Sequence, residues 1–177
     1  MQGTRFAQLL EEQVAHEFAA SQQYSAIAVW FDARSLKNLA THFYRQAVEE
    51  RNHAHILIRF QLDQDLPVRV PGVDAPRTDF SELTEPVALA LAQERRVTAQ
   101  IEGLSRAARE DGLFQGEQAM QWFLKEQVEE VASMSTLLDV CEMGKATPLA
   151  IEEWLARTAG SDSGEEAGMP EAAGGAL

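Results

Sequence analysis

The stretch Ala47-Val-Glu-Glu-Arg-Asn-His-Ala-His55 sets Glu50 and His53 three residues apart. On a helix that spacing places a carboxylate and an imidazole on one face, a pairing suited to holding a metal ion. Taken alone the pattern is common on solvated helices. It gains meaning from its neighbours, because three other stretches each carry a glutamate inside an apolar seam of alternating three- and four-residue spacing. These are Glu17 between Val14 and Tyr24, Glu94 between Leu91 and Ile101, and Glu130 between Phe123 and Met134. Glu50 itself lies between Phe43 and Leu57. Glutamate is rarely fully buried unless paired, and four buried together would repel one another. They must protonate or surround cations. Carboxylates with one imidazole and no thiolate favour hard or borderline ions such as iron or manganese, with zinc as a competitor. Several carboxylates able to bridge make two ions the natural load.

Long helices must position these residues. Helical periodicity runs from Arg5 to Phe31 and, after a break at Asp32–Ser35, from Leu36 to Leu66. An irregular stretch, Pro67–Glu82, holds three prolines. Ser81 and Thr84-Glu85-Pro86 offer capping chemistry for a third helix ending at Glu110. Asp111-Gly112 is a turn, and a fourth helix ends at Met143-Gly144. Thr147-Pro148 opens a short fifth helix through Arg157. Glu17 and Glu50 are equidistant from the first turn, as are Glu94 and Glu130 from Gly112, so each hairpin brings its glutamates level. The middle helices span roughly 40 Å, and Pro67–Glu82 can reach roughly 50 Å when extended. The expected fold is therefore all-α: a four-helix bundle with one long crossover and a short fifth C-terminal helix.

The rest of the chain restricts the class. At 177 residues it has the length of one domain, and its net charge of −13 argues against nucleic acid and against an anionic membrane surface. One cysteine, Cys141, supplies neither an internal disulfide nor a Cys-x-x-Cys metal knuckle, and reads as a small core residue. No apolar run approaches a membrane span, and the polar N-terminus is unlike a signal peptide. The expected location is cytoplasmic. Residues 1–158 form the expected domain. Residues 159–177, acidic and rich in glycine and alanine, are expected to be disordered.

With those residues in view, the chain resembles the bacterial non-haem ferritins. The likeness is carried by EFAASQQY from Glu17, HFYRQAVEERNHA from His42, ALALAQER from Ala88 and QWFLKEQVEEV from Gln121. It implies a ferroxidase centre with one iron on Glu17 and His53, Glu50 as the bridge, and a second iron on Glu94 and Glu130 with Gln127 nearby. It further implies a third iron site at Glu49, Glu126, Glu129 and the shared Glu130. Tyr24 matches a tyrosine beside the centre and Trp122 a nearby aromatic. The family's members oxidise Fe(II) with O2 or peroxide and store Fe(III) mineral inside homo-oligomeric shells of 24 chains. Arg51 and Asn52 stand where bacterioferritins carry a haem-ligating methionine, so no haem is expected. Gln127 in place of a charged ligand implies looser iron at the second position, consistent with iron as passing substrate. Two other readings stay open: a di-iron or di-manganese oxidase or catalase of small size, and a cargo protein whose tail addresses it to an encapsulating compartment.

Overall fold

The computed structural model describes residues 3–145, 147–158 and 169–175. They form α1 (Arg5–Asp32), α2 (Lys37–Asp63), α3 (Thr84–Glu110), α4 (Phe114–Gly144) and α5 (Pro148–Thr158), with no strand among them. α1 packs on α2 and α3 on α4, and the two hairpins meet mainly through α1 and α3. The long crossover joins them. No described helix is long and apolar enough to cross a membrane.

α2 ends three residues earlier than its periodicity suggests. Asp65, at φ 53°, enters the left-handed region and stops it. In the second turn Gly112 takes φ +69°, a conformation glycine adopts without penalty. Ser81 does not cap α3 with its hydroxyl. Instead Glu85 reaches back, accepting from Ser81 N at 3.3 Å and from Arg77 at 2.6 Å. The crossover is pinned to α1 by Gln23, whose amide exchanges hydrogen bonds with the backbone of Arg77 at 2.8 and 2.9 Å.

Two helix starts are capped from a distance. Asp111, in the second turn, accepts from Phe6 N at 2.9 Å while Thr4 accepts from Ala7 N at 3.2 Å, so the α3–α4 turn helps seat α1. α2 has no cap of its own. Glu152 of α5 supplies one, accepting from Asn38 N at 2.7 Å and Leu39 N at 2.9 Å. These bonds satisfy helix-terminal N–H groups and place negative charge at the positive end of α2. α5 lies against α2 and α4, and Ile151 comes so close to Gly144 that a β-carbon there would stand 2.4 Å from Ile151 Cγ1. Gly144 is therefore required by close approach, as the last residue of α4, beyond the turn chemistry its sequence suggests.

The core divides at mid-height. One apolar cluster gathers Tyr24, Phe31, Phe43, Met134 and Cys141, with Ile151 and Leu155 of α5. The other gathers Phe6, Leu10, Leu57, Ile101, Met120 and Phe123. Between them lies the belt of seam glutamates. Of the segment expected to be disordered, residues 159–168 and 176–177 lie outside the described residues. Residues 169–175 lie against the bundle, with Ala172 buried and Ala173 N donating to His55 O at 3.1 Å.

Candidate metal centre

All four helices of the bundle place a seam carboxylate in the belt. Glu17, Glu50, Glu94 and Glu130 are each at most 5% exposed, and His53 is 2% exposed. Glu17, Glu50 and His53 offer ligand atoms lying within 4.8 Å of one another. His53 Nδ1 stands 3.4 Å from Glu50 Oε2. The rings of Trp122 and Phe123 meet the imidazole edge-on, at 5.5 and 5.8 Å between centroids, and fix its plane.

Glu17 Oε2 and Glu50 Oε2 are buried without a hydrogen-bond donor. A buried carboxylate oxygen with no donor is a place where a bound cation is favoured, because an unpaired carboxylate in a dry core carries a large desolvation penalty. The donor set of carboxylate oxygens and one imidazole, gathered within 4.8 Å, suits iron.

The electrostatics agree. Burial, with the charges of Glu94 and Glu17, holds the Glu50 carboxyl well above the usual carboxylate range. Burial and the charges of Glu49, Glu94 and Glu126 do the same at Glu130. Glu94 is pushed up to about 7, chiefly by burial, against opposing hydrogen bonds from Tyr24 and Gln127. Tyr24 OH donates a short hydrogen bond to Glu94 Oε1. Burial and the same glutamate hold the phenol well above its ordinary range, so it stays a donor. Cys141 has its thiol pushed up to about 12 by burial in the apolar cluster, which removes it as a ligand.

Gln127 is oriented by a third residue. Thr98 Oγ1 donates to its Oε1 at 2.9 Å, which turns its amide N–H toward Glu94 Oε2 at 3.4 Å. Gln127 thus presents a donor to the centre and steadies Glu94.

A second group forms one helix step away. Glu49, His53 and Glu126 also bring ligand atoms within 4.8 Å of one another. His53 is three residues from Glu50 and four from Glu49, so on α2 it stands between two adjacent carboxylates that point in different directions. The imidazole belongs to both groups. Glu129 does not join either: it is 59% exposed at its side chain and pairs with Lys125 at 3.3 Å.

Two glutamines that the motif reading does not assign touch the centre. Gln13 Nε2 donates to Glu17 Oε1 at 2.9 Å. Gln46 Nε2 donates to Glu49 Oε2 at 2.5 Å and lies 3.4 Å from Glu130 Oε1. Both stand four residues before a seam glutamate. A buried glutamine one turn from a buried glutamate is the signal that marks them.

A ferritin-like domain model matches residues 7–144. Ferritin BfrB of Mycobacterium tuberculosis is 51% identical over 174 residues, covering 98% of this chain and 96% of that protein. A bacterial non-heme ferritin of Staphylococcus aureus is 36% identical over 127 residues, or 72% of this chain and 76% of the relative. Among solved structures, the open pore ferritin from Archaeoglobus fulgidus superimposes with a TM-score of 0.84 at 22% identity, over 89% of this chain and 97% of that one.

Proposed function

Because this chain belongs to the ferritin family, matched along residues 7–144, we propose that it is a ferroxidase and iron-storage protein, taking Fe(II) as substrate and laying down Fe(III) mineral within an oligomeric shell. The observation that carries the reading is the buried triad Glu17, Glu50 and His53 with its donor-free oxygens.

The first iron binds at Glu17 and His53, and Glu50 bridges it to a second held by Glu94 and Glu130. Each iron loses one electron. O2 takes two electrons and two protons to become hydrogen peroxide, and peroxide takes two more electrons and two protons to become water. A pair of ions therefore matches the electron demand of either oxidant. Gln13 steadies Glu17, while Tyr24 and Gln127 steady Glu94. The two apolar clusters close the bundle core on either side of the centre. Gln127 offers no charge, so oxidised iron leaves the second position readily.

A third iron binds one helix step away at Glu49 and Glu126, with His53 in reach. The shell holds 24 chains, and neither haem nor nucleic acid belongs to the function. A cytoplasmic location completes the proposal, and a tail that addresses the protein to an encapsulating compartment is the alternative to a free shell. Cell fractionation tests the first, and capture of the shell with and without residues 159–177 tests the second.

Size-exclusion chromatography with aerobic Fe(II) loading tests the central claim. A 24-chain shell of the 19.6 kDa subunit elutes at about 470 kDa, against about 40 kDa for a dimer. Glu50→Ala is expected to assemble but to lose rapid oxidation. A small species, or a variant as fast as wild type, would contradict the reading.

A further inference from the structure

We infer that Gln46 is a positioning residue: its amide ties Glu49 to Glu130 and so keeps the cavity-side carboxylate turned inward, as the next ligand for an ion leaving the dinuclear centre. The inference rests on the proposal that Glu49 belongs to a third cation site, and it adds the element that holds that site together.

Glu49 and Glu130 come from different helices and repel one another; Glu49 is the largest charge acting on Glu130. Glu49 is also only partly buried and lines a cavity of about 520 Å³ shared with Arg45, Asn52 and His53. Repulsion from Glu130 favours turning its carboxylate out toward that cavity. Gln46 opposes that motion. It is 91% buried by its 9% exposure, and a single Nε2 reaches Glu49 Oε2 at 2.5 Å and Glu130 Oε1 at 3.4 Å. Its Oε1 is buried with no partner. Glu49 and Glu130 therefore orient the amide, since turning it over would set a carbonyl oxygen, which can only accept, against Glu49 Oε2. Gln46 lies one turn before Glu49 and two turns before His53 on one face of α2, so the tied carboxylate sits beside the imidazole shared by both metal groups.

The test uses the assembled full-length protein and Zn²⁺ as a redox-inert probe. Calorimetric titrations compare wild type, Gln46→Met, Glu49→Gln and the double variant. Gln46→Met keeps the length and removes the donor. It is expected to weaken the third Zn²⁺ equivalent ~10-fold, more than the first two. In the Glu49→Gln background, where the tied anion is gone, Gln46→Met should cost nothing further. Gln46→Asn, which keeps the amide but withdraws it by one methylene, should weaken the third equivalent in the same direction and serves if Gln46→Met fails to assemble. Wild-type affinity in either Gln46 variant overturns the inference. So does an equal loss with and without Glu49, which would mark Gln46 as packing alone. If wild type itself binds no third equivalent, the proposed third site fails, and that failure is read from wild type before any variant.

Discussion

At the scale of the residue, three carboxyls of the centre, Glu50, Glu94 and Glu130, are held above the usual carboxylate range, chiefly by burial. Glu94, moved from 4.5 to about 7 by burial, shows the consequence. A carboxyl whose folded pKa lies above its unfolded value binds more protons when folded, so between those two values stability falls as pH rises. The metal-free protein should therefore melt at higher temperature near pH 5 than near pH 8, and Zn²⁺ should cancel the difference by replacing the protons. Calorimetry with and without metal measures both. Tyr24 acts on the same balance. Its hydroxyl favours ionised Glu94, so Tyr24→Phe should leave that carboxyl protonated to higher pH. Cation affinity is then expected to drop about tenfold at pH 6.5, with the gap narrowing toward pH 8 in calorimetric titration.

At the scale of the element, each helix owes part of its definition to another. α2 begins without a cap of its own and takes one from Glu152, more than a hundred residues later. Glu152→Ala leaves two N–H groups without their acceptor and should cost about 1–3 kcal/mol of stability. For a chain of this size the loss reads as a fall of several degrees in melting temperature, without change in the first metal-binding step. The periodicity of the seams identified the four bundle helices and put their glutamates level, and the Thr147-Pro148 start signal marked the fifth. It could not identify Glu152 as the cap of α2, nor the need for glycine at 144, because both depend on where α5 lies across the bundle. Sequence spacing reports what one helix can present; it carries no record of which distant helix receives it.

At the scale of the whole molecule, the charge of −13 acts beyond any single contact. A surface of that sign concentrates cations and speeds their arrival. The initial rate of Fe(II) oxidation, measured at low iron, should fall several-fold as ionic strength rises from about 0.01 M to about 0.5 M, while the rate at saturating iron changes little. An unchanged initial rate would show that surface charge takes no part in delivery.

By itself the sequence determined the helical class, the long crossover, and the meeting of Glu17, Glu50, His53, Glu94 and Glu130 at one level, because helical period and turn position dictate which residues share a face and a height. The tertiary structure decided what those heights could not. Glu129 and Glu126 stand three residues apart on α4, yet one pairs with Lys125 in solvent and the other is buried beside His53. The angle at which α4 faces α2 separates them, and no spacing along a single helix contains that angle. Gln46 and Gln13 became visible for the same reason: a hydrogen bond to a carboxylate depends on where two side chains finally point, which packing sets only after the helices have met.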